Sequence, residues 1–369
     1  KIQTIHAFCE SLLHRFPLEA NIAGHFELLD AEAQALLVAQ ARRGLLADAA
    51  QRSGAGAAVM RLLAIAGESG VEKLLDEIVV RRIAVTDLLR RLSPAGERRG
   101  AYRTAFGFAP DETDADVAAT VWPLPGFGEA DLERLEHAAR APKSPRKTHL
   151  KFIAELRDAS AEPDALLRLS SLARAFLKAD GTPATHNMFP ADIAGALPSF
   201  EADYLSAADR IAKACNRLDL LREIEGTLDV LAVADALIAR YEALKRARGL
   251  LDFEDLIART ATLLTRTGAS LWVRYKLDQG IDHILIDEAQ DTSPAQWDVI
   301  RTLADEFFAG DAARPELRTV FAVGDEKQSI YSFQGADPDK FAGTRTHFAQ
   351  RAGEADRAFE PVESGKCSN

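Results

Sequence analysis

Two adjacent carboxylates, Asp287 and Glu288, follow a short apolar run at positions 284–286. Such a run is typical of a strand buried on both faces of a parallel sheet, and ligands bind beyond the carboxyl ends of such strands. One carboxylate there can hold Mg²⁺, directly or through water, because a small hard cation prefers oxygen ligands. The other can activate a water for attack on a phosphoryl group. The alternative is that the two charges only end a strand in solvent.

A second apolar run, Thr319–Val323, lies about thirty residues further along and ends in a Gly-Asp pair that begins at Gly324. The stretch Asp-Glu-Ala-Gln-Asp from Asp287 and the stretch Gly-Asp-Glu-Lys-Gln-Ser-Ile-Tyr-Ser-Phe-Gln-Gly-Ala from Gly324 are similar to two known motifs. They resemble motifs II and III of the superfamily 1A DNA helicases, the UvrD/Rep group, in both order and spacing.

The resemblance implies a site for ATP and Mg²⁺. By position, Asp287 would bind the metal, Glu288 would activate the hydrolytic water, and Gln328 would sense the γ-phosphate. These three residues are the expected catalytic groups. The nucleotide and its metal would be bound by Asp287, Gln290, Asp291 and Gln328.

The same resemblance implies a surface for DNA. Tyr331 and Phe333 would lie against bases, because every base has an aromatic face on which a ring can stack. The alternative for both rings is ordinary core packing. Thr4 and His6 resemble a third family motif, in which a Thr and a His lie against the single-strand backbone. For Thr4 a helix cap is the competing explanation.

These motifs predict an α/β fold. The resemblance implies a RecA-like P-loop NTPase core, with a parallel sheet that is incomplete at the N-terminus because Lys1–Ile5 already has the character of a strand. Residues 28–249 are rich in Ala and Leu at helical spacing and predict a large all-α inserted subdomain. The predicted domains are therefore 1–27 and 250–369 for the RecA-like domain 1A and 28–249 for the helical subdomain 1B.

Two helix boundaries can be predicted where the chain returns from the insertion. Apolar residues at steps of three and four predict a long helix that ends at Gly249, where glycine favours the left-handed cap. Asp252 is then placed to cap the next helix, with Asp255 three residues on in the position of a capping box. The stretch from Leu251 to Leu256 also resembles an Asp-Phe-x-Asp-Leu element of these helicases.

Composition describes an ordinary globular protein of 369 residues, 47% of them hydrophobic, long enough for two or three domains. No apolar run approaches the roughly 20 residues of a membrane span, and the sequence has no signal peptide. Cys9, Cys215 and Cys367 are too far apart for a metal site, which predicts the reducing cytoplasm.

The net charge of −11 argues against a protein that coats DNA by neutralising phosphates. Contact with single-stranded or duplex DNA must therefore come from a local groove or from base stacking. A basic segment from Arg140 to Lys151 contains five cations and two prolines. It could touch a nucleic-acid backbone, or it could be a solvated connection between helices.

One departure from the family pattern limits what this chain can do. No Gly-x-x-x-x-Gly-Lys-Ser/Thr loop occurs in it, so the main cradle for the β- and γ-phosphates is missing. We therefore expect an inactive fragment of an ATP-dependent helicase. The best subgroup match is the AddA type, which works with a nuclease or helicase partner of the AddB kind in double-strand break repair. The alternatives are a P-loop ATPase that is not a helicase and a non-catalytic helical DNA-binding or scaffold module.

Overall fold

The computed structural model describes residues 3–50, 54–142, 145–265, 272–273, 276–277, 281–308, 318–324, 338–354 and 358–359. The helices in chain order are α1 (Ile5–Arg15), α2 (Ala31–Ala50), α3 (Ala55–Val80), α4 (Arg82–Arg91), α5 (Ala95–Ala105), α6 (Asp114–Ala119), α7 (Glu129–Arg140), α8 (Lys147–Ala161), α9 (Ala165–Phe176), α10 (Ala191–Ala196), α11 (Phe200–Arg248), α12 (Phe253–Thr265), α13 (Pro294–Phe308) and α14 (Pro338–Glu354). The strands are β1 (Glu27–Leu28), β2 (Leu250–Leu251), β3 (His283–Ile286) and β4 (Thr319–Ala322). This part of the chain is mostly helical, with small parallel sheets.

The chain divides into two compact units. The first consists of Lys1–Ala47, Lys73–Thr86 and Ala236–Asn369, and the second of Asp48–Glu72 and Asp87–Asp235. The first unit therefore also contains residues on both sides of the predicted boundaries at 27/28 and 249/250. The assignment of 1–27, 28–249 and 250–369 to separate subdomains stays a prediction.

Side-chain caps explain where several helices begin. The Thr4 hydroxyl accepts a hydrogen bond from the Ala7 amide at 3.3 Å, and α1 starts immediately after it. Ile5 is therefore helical, and the expectation of a strand through this residue was wrong, because the cap sets the helix start one residue earlier than the apolar pattern suggested. Asp255 and Asp252 form the predicted capping box of α12, with N–H to carboxylate distances of 2.9 and 3.1 Å.

The predicted end of the long helix is also confirmed. Helix α11 runs without interruption to Arg248, and Gly249 follows with φ of +65°, a left-handed conformation that glycine adopts without steric cost. Strand β2 begins at the next residue and pairs in parallel with β1, so that Leu250 lies opposite Glu27. The chain therefore leaves β1 and returns at β2 side by side, with all of α2 to α11 between the two.

Strands β3 and β4 pair in parallel, with Leu285 opposite Phe321. This confirms the parallel pairing expected of the two motif strands. The prediction that β3 is buried on both faces was wrong, because Leu285 is 71% exposed and Phe321 is 54% exposed. An unbroken apolar run does not distinguish a strand covered on two faces from one that packs on a single face.

One face of this sheet packs against helices. Ile286 is buried in a cluster with residues of α13 and α14, among them Trp297, Ile300 and Phe348. Ile5 of α1 packs against the same cluster, so the N-terminal helix lies beside the strand that carries Asp287. A neighbouring cluster joins α1 to α12 and α13 through Cys9, Leu12, Leu13, Leu256, Leu263 and Val299.

The second unit has a core of its own. Its centre is a group of aromatic rings from helices α8, α9 and α11 and from the segment before α7, with ring centroids 4.9 to 6.4 Å apart. The members are Phe127, Phe152, Phe176, Phe200 and Tyr204. Such edge-on and tilted pairs stabilise a core beyond the area that they bury. Among the described helices, none combines the length and apolar composition needed to cross a bilayer.

A buried charge network fixes the start of α12 in the first unit. Lys245 of α11, 2% exposed, lies 2.6 Å from Asp255 and 3.1 Å from Asp252. Arg82 of α4 forms an ion pair with Asp252 on its other side, and the Tyr241 hydroxyl donates to Asp252 at 2.9 Å. Each of these charges is compensated by an opposite charge, as buried ions must be.

The network shifts the ionisation of its members in opposite directions. Burial tends to raise the pKa of Asp252, but the charges of Arg82 and Lys245 outweigh burial and lower it. Burial and the negative charge of Asp252 raise the pKa of Asp255. Burial tends to lower the pKa of Lys245, but Asp255 and Asp252 outweigh it and raise that pKa. The raised pKa of Lys245 stabilises the folded protein while Asp252 and Asp255 are ionised, and this contribution is lost as pH rises through the folded pKa of Lys245.

We predict that Lys245→Met destabilises the protein at neutral pH by about 3–5 kcal/mol, because the variant leaves two buried carboxylates facing a single guanidinium. The difference from the parent protein should shrink as pH falls, since Asp255, whose pKa is raised, then binds a proton and no longer needs the ammonium. Urea unfolding at pH 7.5 and at pH 5 measures both effects.

Lys73→Met is the matched control, because Lys73 belongs to the same compact unit and is exposed. The control should unfold like the parent protein at both pH values. A Lys245→Met protein as stable as the control at pH 7.5 would contradict the stabilising role of the network.

Candidate functional site

The site begins where β3 ends. Asp287 and Glu288 are both exposed beyond the buried Ile286. The Asp287 carboxylate accepts a hydrogen bond from the Glu288 amide at 3.1 Å. Glu288 has φ of +49° and ψ of +49°, the left-handed region that a glutamate seldom adopts. Backbone strain of this kind concentrates at functional positions, where the surrounding structure must compensate for it.

A 3-10 turn, Ala289–Asp291, follows Glu288 and closes on it. The Asp291 amide donates to the Glu288 carbonyl at 2.9 Å, and the Gln290 side-chain amide donates to the Glu288 carboxylate at 2.6 Å. Gln290 is 2% exposed, whereas the carboxylate that it contacts is exposed. The Oδ1 atom of Asp291 is buried and accepts no hydrogen bond from the part of the chain that the structure describes.

Strand β4 supports this turn through its backbone. The Val323 amide donates to the Ile286 carbonyl at 2.8 Å, and the Val323 carbonyl accepts from the Ala289 amide at 2.8 Å. The ladder between the strands therefore continues past Ile286 and reaches the turn itself. The next residue, Gly324, lies so close that an added Cβ would be 2.6 Å from the Gln290 Oε1 atom and 3.1 Å from the Ala289 amide nitrogen.

Helix α13 supports the turn from the other side. Ser293 and Gln296 cap its start, with the Ser293 amide donating to the Gln296 side chain at 2.9 Å. Trp297 is 2% exposed and packs in the cluster that contains Ile286 and Ala289. The carboxylates at 287 and 288 are thus presented to solvent on a backbone that is itself held between a strand and a helix.

The expected DNA contacts at the N-terminus lie at the start of α1. Thr4 is exposed and caps the helix, so the capping explanation accounts for its hydroxyl. The His6 ring is edge-on to the ring of Phe253, with 5.3 Å between centroids. Partial burial lowers the pKa of the His6 imidazole, so at neutral pH the ring is uncharged and can contact a phosphate only by hydrogen bonding.

Three expected site residues, Gln328, Tyr331 and Phe333, lie outside the described residues. The sequence reasoning assigned no role to Gly324 or to Phe253. Gly324 could have been recognised from its place directly after a strand, where glycine often marks a close backbone approach. The contact between Phe253 and His6 has no sequence signal, because 247 positions separate them in the printed sequence.

The side chains around Asp287 can be matched to the ligands that Mg²⁺ requires. No group of three or more His, Cys, Asp and Glu side chains gathers as a metal site within the described ranges. Mg²⁺ does not need one, because it keeps several waters and is bound by one or two carboxylates together with substrate phosphates. An exposed Asp287 carboxylate at a strand end, with the unsatisfied Asp291 oxygen nearby in sequence, fits that pattern.

Three of the five cations in the basic segment from Arg140 to Lys151 pair with neighbouring carboxylates. Arg146 forms a bidentate pair with Asp192 at 3.0 and 2.8 Å, and Arg140 pairs with Glu136 at 2.6 Å. Lys151 lies 3.6 Å from Glu155. These pairs are exposed and favour the interpretation of a solvated connection between helices.

Comparison with known proteins gives a family match over most of the chain. The model of the UvrD/REP helicase N-terminal domain matches residues 1–349. The chain is 30% identical over 378 residues to the AddA subunit of the ATP-dependent helicase/nuclease of Desulforudis audaxviator, and the match covers 92% of this chain and 29% of that protein. The protein of the same name from Limosilactobacillus fermentum is 26% identical over 374 residues, covering 92% of this chain and 27% of that protein.

A shorter match involves a component of another enzyme. The RecBCD enzyme subunit RecB of Mycolicibacterium smegmatis is 36% identical over 107 residues, which is 29% of this chain and 9% of that protein. The chain thus spans at most 29% of the length of these three relatives.

We predict that Gly324→Ala destabilises the protein by about 1–3 kcal/mol, because the new methyl group must displace either the buried Gln290 side chain or the backbone of the turn. Chemical denaturation measures the loss. Gly343→Ala is the control, since nothing lies within 4 Å of a Cβ at this position in α14. Alanine should stabilise that helix by about 0.5–1 kcal/mol. Equal stability of the two variants would show that the turn has room for a side chain at 324.

Proposed function

Because this chain belongs to the UvrD/REP helicase family, we propose that it is part of an enzyme that couples ATP hydrolysis to movement along single-stranded DNA and to unwinding of the duplex. The observation that carries the proposal is the placement of Asp287 and Glu288 directly after β3, which pairs in parallel with β4, the strand that leads to Gly324. The paired residues of the two strands are 36 positions apart, so the starts of the two motifs come to one edge of one sheet.

The proposed architecture is a RecA-like domain interrupted by a helical subdomain. Strands β1 and β2 are neighbours, with Glu27 opposite Leu250, which supports an insertion between residues 27 and 250. The helices of the second unit, with their own aromatic core, would form most of this insertion. The proposed boundaries are those of the sequence analysis, with domain 1A in residues 1–27 and 250–369.

The proposed chemistry is hydrolysis of the terminal phosphoanhydride of ATP. Glu288 accepts a proton from a water molecule, whose oxygen forms a bond to the γ-phosphorus while the bond from that phosphorus to the bridging oxygen breaks. ADP leaves with the electron pair of the broken bond, and inorganic phosphate is the second product. Asp287 would hold Mg²⁺, which when bound neutralises charge on the phosphate oxygens.

Other residues of the two motifs complete the proposed nucleotide site. Asp291 has a buried oxygen with no hydrogen-bond donor among the described residues, and it would help to hold the nucleotide and its metal. Gln290 lies in the same turn. Gln328, which follows Gly324 in the second motif, is proposed to sense the γ-phosphate.

The proposed DNA surface combines backbone contacts with base stacking. Thr4 and His6 would contact the phosphate backbone, and the exposed Phe253 ring beside His6 adds an aromatic face. Tyr331 and Phe333 are proposed to stack on bases. Stacking suits a protein of net charge −11, because it does not depend on neutralising many phosphates.

The names of the relatives suggest the setting in which this activity is used. Two of them are named as components of an ATP-dependent helicase/nuclease and one as a component of the RecBCD enzyme. We therefore propose a role in double-strand break repair, together with a partner protein of the AddB kind. The absence of paired or metal-spaced cysteines favours the cytoplasm as its location.

The proposal is tested in the full-length protein by Glu288→Gln. DNA-stimulated ATP hydrolysis should fall by about 10²- to 10⁴-fold, the usual contribution of a general base. Nucleotide binding should survive, because Asp287 remains. Steady-state turnover and equilibrium binding of a fluorescent ATP analogue give the two quantities. Undiminished turnover would contradict the assignment of Glu288 as the base.

Phe333→Ala separates a helicase from an ATPase that does not act on DNA. Loss of one stacking platform costs about 1–3 kcal/mol per base, so affinity for single strands and unwinding should fall while basal hydrolysis persists. A scaffold module predicts no change in ATP turnover from either substitution. Unwinding that is unaffected by Phe333→Ala would refute the stacking role.

The 369-residue chain by itself is expected to hydrolyse ATP no faster than its own Glu288→Gln variant. The reason is that its sequence contains no phosphate-binding loop of the Gly-x-x-x-x-Gly-Lys-Ser/Thr type. A phosphate-release assay with and without single-stranded DNA measures this. Turnover clearly above the variant would mean that the phosphates are held by residues other than the expected loop.

A further inference from the structure

We propose that Gln290 is a positioning residue for the reaction, and that Gly324 keeps its side chain in place. In this proposal the Gln290 amide acts on the nucleotide through the Glu288 carboxylate and not as a ligand of the phosphates. The inference rests on the proposed function, since it assumes that Glu288 accepts the proton of the attacking water.

The first step of the argument is the freedom of Glu288. Its side chain is exposed and stands on a left-handed backbone beyond the end of β3. An exposed glutamate has several rotamers of similar energy, and a general base must hold one oxygen within hydrogen-bonding reach of the water. A fixed donor to the carboxylate is therefore needed to keep one rotamer.

The second step is the donor itself. The Gln290 Nε2 atom donates to the Glu288 Oε2 atom at 2.6 Å. An ionised carboxylate only accepts hydrogen bonds, which fixes the NH₂ end of the amide toward Glu288. Since Oε2 is engaged in this bond, Oε1 keeps both of its lone pairs and is the better placed oxygen to accept a proton from water.

The third step is the rigidity of the donor. Gln290 is 2% exposed, and its backbone belongs to the turn that the Asp291 amide closes onto the Glu288 carbonyl. Gly324 borders the Oε1 end of the amide so closely that a Cβ there would be 2.6 Å away. The Gln290 amide thus donates to Glu288 at one end and lies close to Gly324 at the other.

The consequence is a mechanical connection between the two motifs. A shift of β4 at Gly324 changes the space available to the Gln290 side chain, and with it the orientation of Glu288. Gly324, two residues beyond the end of β4, thereby affects the proposed general base without touching the nucleotide.

The test uses Gln290→Met in the full-length protein, because methionine keeps the length of the side chain and removes the donor. We expect kcat for DNA-stimulated ATP hydrolysis to fall on the order of 10²-fold, the scale of loss when a reacting group is misplaced by about 1 Å. The dissociation constant of a fluorescent ATP analogue should not change. Gln350→Met, at an exposed position of α14, is the matched control and should retain normal turnover.

A double substitution distinguishes positioning from independent action. If Gln290 works through Glu288, Glu288→Gln combined with Gln290→Met should be no slower than Glu288→Gln alone. If the fold-losses in kcat of the two single variants multiply in the double variant, the proposal is overturned. Weaker nucleotide binding with unchanged kcat in Gln290→Met would also overturn it and make Gln290 a nucleotide ligand.

A second variant covers the case in which Gln290→Met does not fold. Gln290→Glu preserves the volume of the side chain and replaces the donor by an acceptor, so it should lose turnover to at least the same extent. Normal turnover of Gln290→Glu would refute the positioning role. Normal turnover of Glu288→Gln would refute both the proposed role of Glu288 as the base and the positioning role of Gln290. If Glu288→Gln loses turnover and Gln290→Met keeps it, only the positioning role of Gln290 is refuted.

Discussion

The parallel pairing of β3 with β4 is the constraint on which the candidate site depends. It does not stop at the last strand residue, because the Val323 amide still bonds to Ile286 and the Val323 carbonyl reaches the Ala289 amide. This extended ladder determines where the chain must turn after β3. Glu288 adopts a left-handed backbone at that turn, and Gly324 has no side chain because none would fit against it. The presentation of two carboxylates to solvent is thus a property of two strands and not of one motif.

A second polar arrangement governs the start of α12. Asp252 caps the helix together with Asp255, which is a contact between neighbours in sequence. It also forms tertiary contacts, since it lies between Arg82 and Lys245 in a buried network. The members of the network must keep their relative positions, because a buried charge whose partner has moved away destabilises the folded protein. Its location explains why the first residue of α12, Phe253, has a fixed place beside His6. The buried ion pairs of Asp252 therefore determine the position of Phe253, which lies at the edge of the proposed DNA surface.

The two compact units achieve stability in different ways. The second unit has one continuous apolar core with aromatic rings at its centre, and its exposed arginines pair with carboxylates on neighbouring helices. The first unit contains the small parallel sheets, the charge network around Asp252 and the left-handed turn at Glu288. Buried charged side chains occur in both units, since Arg98, Arg103 and Asp229 of the second unit are buried as well. The candidate site therefore lies in the unit that combines the parallel strand pairs with a strained turn.

The sequence by itself determined the features that depend on neighbours along the chain. The caps at Thr4 and Asp252, the helix end at Gly249 and the strand endings at Asp287 and Gly324 are all set within a few residues, so periodicity and capping chemistry are sufficient to find them. The family resemblance also identified the protein class, because the two motifs that carry it are short stretches of consecutive residues.

Only the tertiary structure decided the rest. The exposure of Leu285, the bond from Gln290 to Glu288, the closeness of Gly324 and the burial of Lys245 between two aspartates all depend on segments that meet through folding or through a particular turn. An apolar run has the same pattern whether one face or two are covered, and a lysine in a helical repeat has the same pattern whether it is solvated or buried. Burial and partner choice are properties of the assembled chain, which is why no local pattern contains them.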